Sequence, residues 1–254
     1  MPYSSSSKLL SNTFWRGLRK VLPGSTWGLL YGIRERLLAG RYIRELSGGR
    51  DAEAAKVSPA QSEIMSRLLE LWHEFGAVGK GRSGYARHYA QVLDSPPLEG
   101  FRNVLEIGVF GGGSHRAWRK MLPGADIWGF DIDPATVIDE ERIHTFLGDQ
   151  LDDDSLHSLK KHFPPTFDLI VDDGWHQPEA GIKSLKHFLP MLSPGGYYIV
   201  EDIDWKKYRG VWRKVQSLLG ASFFTSLVEV DSDGSPGGIR GNYGMFLVRR
   251  KTNH

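Results

Sequence analysis

The chain has 254 residues, 40% of them hydrophobic and 24% charged, with 30 Gly and 13 Pro; this is the balance of a soluble globular protein and excludes collagen-like, coiled-coil and wholly disordered chains. It contains no cysteine, which rules out a disulfide scaffold, a thiolate metal site and a cysteine nucleophile. The net charge of +2 hides an uneven split: residues 1–50 hold nine Lys/Arg against two Glu, about +7, and leave about −5 for the remainder.

Residues 1–57 read as a basic helical N-terminal arm. After the Ser4 to Ser7 tip, Asn12 caps one short helix that stops at Pro23-Gly24, and a second runs from Trp27 to Leu38. Both mix aromatics with Arg, which suits a peripheral membrane contact through residues 1–50 or an arm packed on the body or on a sister subunit of a homo-oligomer. The apolar run Trp27 to Ile33 is too short for a signal-peptide core or a membrane span, so a cytoplasmic location is expected, with membrane association only through that arm. Residues 58–97 read as a helical lead-in or lid. Ser58-Pro59 is an N-cap followed by Pro at the first helical position. Ile64, Leu68, Leu71, Trp72 and Phe75 then recur at helical spacing up to Gly76. A basic loop, Gly79-Lys80-Gly81-Arg82-Ser83-Gly84-Tyr85, precedes a helix from Ala86 to Leu93, and Pro96-Pro97 marks a boundary.

From residue 98 to 254, short apolar strands alternate with helical stretches. Strands are expected at 103–107, 127–131, 143–147, 167–171, 197–200, 227–230 and 244–249, and helices at 114–121, 134–140, 155–162, 179–192 and 208–219. This alternation predicts an α/β fold: a Rossmann-like, seven-stranded, mostly parallel sheet with helices on both faces, preceded by the N-terminal helical extension. Ligands of such a sheet bind beyond the carboxyl ends of its strands.

The first strand ends in Glu106-Ile107-Gly108-Val109-Phe110-Gly111-Gly112-Gly113-Ser114, an acid and a Gly-rich turn opening a helix. The second ends in Asp131-Ile132-Asp133, about 20 residues on, where an acid accepts hydrogen bonds from a ribose diol; Asp133, before Pro134, also suits a helix cap. Together they point to an adenosine-containing cofactor, a dinucleotide among the candidates. The third strand closes on Gly148-Asp149-Gln150, a polar edge for an adenine or simply a turn. The fourth runs into Asp172-Asp173-Gly174-Trp175-His176 and the fifth into Glu201-Asp202-Ile203-Asp204. So many acids on one rim are costly without a cation, and oxygen ligands without Cys suit Mg²⁺, Mn²⁺ or Ca²⁺. The remaining histidines on the predicted elements, including His115, His144 and His187, read as surface or packing residues away from that rim.

Residues 101–204 resemble the class I S-adenosylmethionine-dependent methyltransferases, and Asp172-Asp173-Gly174-Trp175-His176 with Glu201-Asp202 resembles the metal-dependent macrolide and sugar O-methyltransferases; Gly79 to Tyr85 and His88-Tyr89 also resemble that family's lead-in before the first strand, so the resemblance covers about residues 78–204. Trp175 departs from the serine usual at its place. The resemblance implies that Asp173, Glu201 and Asp202 hold Mg²⁺ (or Mn²⁺), that His176 is the general base, and that Glu106, Gly108, Asp131, Asp149 and Gln150 line S-adenosyl-L-methionine. It implies methylation of a sugar hydroxyl on a small-molecule glycoside or glycolipid. A metal-chelated diol loses its proton more easily, and a nearby His takes it. Rival readings are a catechol-type O-methyltransferase acting on a non-sugar diol and an NAD-dependent oxidoreductase; the latter leaves the carboxylate cluster unexplained. The acidic body and the lack of an RNA-binding motif argue against a nucleic-acid partner.

Overall fold

A computed structural model of the chain describes residues 58–77, 79–80, 84–94, 98–230 and 243–252. All belong to one compact unit, Arg50–His254. The expectations for the arm, its membrane contact included, lie outside the described residues. Among the described residues, no helix is long and apolar enough to cross a membrane.

Helix α1 spans Pro59–Glu74 and α2 spans Ala86–Leu93. They precede β1 (Asn103–Ile107), α3 (Gly113–Met121), β2 (Asp126–Asp131), β3 (Asp139–Glu140), β4 (Ile143–Leu147), α4 (Asp153–Leu159), β5 (Phe167–Asp172), α5 (Pro178–Phe188), β6 (Leu192–Asp204), α6 (Trp205–Leu218), β7 (Phe223–Val230) and β8 (Tyr243–Arg250). The strands form one sheet in the order β3-β4-β2-β1-β5-β6-β8-β7. Strands β4, β2, β1, β5 and β6 are parallel, and β3, β8 and β7 pair antiparallel. The chain leaves β1 towards β2 and β4 and returns on its other side at β5, so a topological switch point lies over β1 and β5.

The sheet has eight strands where seven were expected, and the additional one replaces a predicted helix. Pro134 opens only a single turn, Pro134–Thr136, capped by the Asp133 carboxylate accepting from the Ala135 N–H at 2.9 Å. The β-branched Val137-Ile138 then favour extended backbone, and the Ile138 N–H donates to Thr145 Oγ1 at 2.6 Å while that hydroxyl donates to the Ile138 carbonyl at 2.7 Å. Thr145 thus draws this segment alongside β4 as β3.

Helices α1 and α2 do not stand apart from the sheet domain. Leu68, Leu71 and Trp72 of α1, Tyr89 and Val92 of α2, and Trp118 and Met121 of α3 belong to one hydrophobic cluster with Val104 of β1. The Trp72 ring meets Tyr89 edge-on at 5.9 Å and Trp118 at 6.3 Å, geometry that contributes beyond area burial alone. The start of α1 is fixed by a capping box: Ser58 Oγ accepts from the Gln61 N–H and Gln61 Oε1 accepts from the Ser58 N–H, both at 3.1 Å. Ser58→Ala is expected to cost about 1 kcal/mol, lowering the melting temperature by roughly 2–4 °C in a calorimetric scan.

Candidate active site

The parallel strands end on one rim, and their register explains which residues gather there. Ile107 of β1 sits beside Phe130 of β2 and Asp172 of β5, and Asp172 beside Val200 of β6. The next residues along, Asp173 and Glu201, therefore emerge side by side. The turn after β1 is pressed against the first of them: Gly108 has φ +92°, and a Cβ placed there would lie 2.5 Å from the Asp173 carbonyl oxygen. Only glycine suits both the conformation and the approach.

Strand β6 carries a bulge at this point. Val200 pairs with Phe246 and Ile203 with Gly244, so one residue more lies on β6 than on β8, and Asp202 takes φ +52°. A bulge re-aims side chains that strict alternation would send to opposite faces. Here Glu201 and Asp202 both meet the segment around α2: the Tyr89 hydroxyl donates to Glu201, and the Tyr85 hydroxyl donates to Asp202. His176 is another non-glycine residue with positive φ, +55°. Such strain persists only where the surroundings impose it, and it collects at functional sites.

Asp173, His176 and Asp202 each present a ligand atom within 4.8 Å of the other two. His176 Nε2 stands 3.6 Å from Asp202 Oδ2, with its side chain 40% exposed. Glu201, expected as the third carboxylate of a metal set, is not in this group. It is buried, and it is paired with the Lys80 ammonium and the Tyr89 hydroxyl. Lys80 Nζ also lies 3.1 Å from both Glu106 and Asp173. Burial would lower the Lys80 pKa, but Asp173, Glu201 and Glu106 outweigh it and hold the ammonium well above its ordinary range. Burial raises the Glu201 carboxyl; Lys80 opposes the rise, and Asp173 and Asp202 add to it. Among the described residues, the carboxylates of Glu106, Asp173, Glu201 and Asp202 outnumber the ammonium of Lys80. The rim's oxygen donors fit a hard divalent ion, and the imidazole stands beside them.

The residues expected around the cofactor divide into two layers. Asp131 remains at the rim, where Oδ2 accepts from the Val109 N–H at 2.8 Å and the Phe110 N–H at 3.0 Å, and Oδ1 from the Asp133 N–H at 3.0 Å. Burial would raise its pKa, yet these amides hold the carboxyl below the usual value. Asp149 is half-buried, with Oδ1 accepting from the Leu151 N–H at 2.8 Å. Glu106 is wholly buried behind the rim. Gln150 turns inward rather than offering an adenine edge: its amide donates to Asp172 at 2.7 Å and Ser184 at 2.9 Å, and its oxygen accepts from the Trp175 N–H at 2.9 Å. It ties the end of β4 to the turn that carries His176. Asp172 below it is buried, which pushes its carboxyl up to about 6.

Sequence reasoning placed Lys80, Tyr85 and Tyr89 in a lead-in segment like the family's but gave none of them a role in the site. They lie before β1, and only the tertiary fold brings them to β5 and β6. His115, read as a packing residue away from the rim, is fully buried with Nδ1 3.5 Å from Glu106; burial lowers its pKa, against the pull of that carboxylate. His187 is a surface partner of Asp153 at 2.9 Å, which with Lys183 ties α4 to α5.

Residues 105–203 match the family described as a methyltransferase domain. A mycinamicin VI 2''-O-methyltransferase of Micromonospora griseorubida is 33% identical to it over 179 residues, 66% of this chain and 43% of that protein. A demethylmacrocin O-methyltransferase of Streptomyces fradiae is 33% identical over 164 residues, 62% of this chain and 39% of that protein. The chain thus spans less than half the length of these curated relatives. Among solved structures, the methyltransferase MycE of the mycinamycin biosynthetic pathway, in complex with Mg and SAH, superposes with a TM-score of 0.57 at 22% identity, covering 83% of this chain and 70% of that one. This likeness establishes the fold. The matched residues begin inside β1, so Lys80, Tyr85 and Tyr89 lie upstream of them and yet reach the rim.

Proposed function

We propose that the chain is a metal-dependent O-methyltransferase that moves the methyl group of S-adenosyl-L-methionine to a hydroxyl of a sugar on a small-molecule glycoside or glycolipid. The observation that carries this reading is the convergence of Asp173, His176 and Asp202 within 4.8 Å on the rim that the Gly-rich turn also reaches. The 33% identity to enzymes named for O-methylation in mycinamicin and macrocin formation supports the choice of acceptor.

Asp173 and Asp202 would hold Mg²⁺ or Mn²⁺, and Asp131 and Asp149 would meet the cofactor, with Gly108 letting the turn approach it. Glu106, Gln150 and Glu201 act one layer behind, through the groups they position. A bound divalent ion supplies acidification and orientation of a chelated vicinal diol. The reaction forms one O–C bond and breaks one S–C bond. The hydroxyl proton leaves to Nε2 of His176, whose exposed imidazole is held beside Asp202. Little further chemistry is needed beyond alignment of the reacting atoms.

The test is transfer of labelled methyl from S-adenosylmethionine to a panel of diol-containing glycosides, read by mass spectrometry. Transfer is expected to stop in EDTA and return with added Mg²⁺. Full activity in chelator would remove the metal from the reaction, and labelling of catechols with no glycoside labelled would redirect the acceptor to a non-sugar diol.

A further inference from the structure

Lys80 occupies an unusual position for an ammonium group. Its side chain is 5% exposed, it comes from the segment before α2 and not from the sheet, and it meets carboxylates from three different strands or strand ends: Glu106 in β1, Asp173 after β5 and Glu201 in β6. An ammonium offers three N–H donors, so its donor count equals its number of carboxylate partners. The Tyr89 ring lies 5.9 Å from Nζ and adds a cation–π contact. Asp173 belongs at once to this interior group and to the outer set with His176 and Asp202.

We propose that Lys80 is a resident counter-cation: it keeps the carboxylate rim assembled before a divalent ion binds, and it weakens the affinity for that ion by opposing it through Asp173. The inference rests on the metal-dependent reading above. Without Lys80, Glu106 and Glu201 lose the cation that offsets their burial, which lowers the stability of the empty rim. With Lys80 present, an incoming ion shares Asp173 with an ammonium that lies 3.1 Å from that carboxylate. Their repulsion at a separation of a few ångströms changes affinity by at least about tenfold even with water-like screening. Lys80 is a positioning residue, and the direction of its effect separates it from a purely structural one, because a damaged site binds metal more weakly.

The measurement is Mn²⁺ titration of the full chain by electron paramagnetic resonance, with melting followed by circular dichroism in EDTA and in Mn²⁺. Lys80→Gln keeps two N–H donors and loses the charge. It is expected to melt lower than wild type in EDTA, to bind Mn²⁺ at least about tenfold more tightly, and to gain more from the metal in melting temperature. Lys80→Arg, which keeps the charge, is expected to bind Mn²⁺ within about threefold of wild type. Unchanged or weaker Mn²⁺ binding by folded Lys80→Gln overturns the assignment. Should that variant be unfolded in EDTA, recovery of the native spectrum on adding Mn²⁺ supports the assignment and failure to recover overturns it. If wild type takes up no Mn²⁺, the metal-dependent reading itself fails, and this assignment with it, before any variant is compared.

Discussion

Replacing His176 with Ala is expected to lower turnover by about 10² to 10⁴-fold, the range for loss of a general base, while S-adenosylmethionine binds within about threefold of wild type by calorimetry. The imidazole is 40% exposed and 3.6 Å from Asp202, so it is open to an acceptor on one side and anchored on the other. The residue's φ of +55° complicates an Ala substitution, because a left-handed backbone is costly for most side chains and least so for Asn, Asp and His. His176→Asn therefore serves as a companion that removes the base and tolerates the backbone. Both variants losing turnover with Mn²⁺ affinity intact is the result for a base. Loss of Mn²⁺ binding in both, by about tenfold or more, would make the imidazole a ligand instead, and a near-wild-type rate would move the base elsewhere.

Gly108→Ala is expected to have the largest structural effect of any single methyl added to this rim. The φ of +92° costs an L side chain about 1–3 kcal/mol, and the Cβ at 2.5 Å from the Asp173 carbonyl adds roughly 1–3 kcal/mol of overpacking. A loss of a few kcal/mol corresponds to a melting temperature lower by roughly 5–15 °C for a unit of this size. The strain is relieved only by moving the turn after β1 or the chain after β5. Mn²⁺ uptake and cofactor binding should fall together, and a variant that melts as wild type and binds both normally would show the contact to be soft.

The strand-and-helix rhythm and the acids at the strand ends were legible in the sequence because both are local: a parallel strand is a short apolar run, and its carboxyl end follows directly. Asp173, His176 and Asp202 could be brought to one rim from that rule alone. The length of β6 was not, since a strand was expected only over 197–200 whereas Leu192 to Asp204 run as one strand. Nor was the division of labour between Glu201 and Asp202. That depends on a one-residue bulge whose cause lies in β8 pairing, more than 40 residues further along. Gln150 was assigned to the cofactor because its position in the turn is right; its direction is set by Asp172, Ser184 and Trp175, which no spacing rule relates to it. Lys80 looked like part of a flexible basic loop, and only the three carboxylates it meets make it an interior residue.

The bulge in β6 also bears on which changes of chain length the protein tolerates. Deleting one residue between Val200 and Ile203 would restore unbroken pairing with β8, and by ordinary sheet criteria it would be an improvement. The only residues there are Glu201 and Asp202, so the deletion would keep Ile203 opposite Gly244 while removing one of the two acids to which Tyr89 and Tyr85 donate. The irregular strand is thus less economical as a sheet and better as a holder of adjacent charges, so regularising it should make a sounder β-strand and a poorer enzyme.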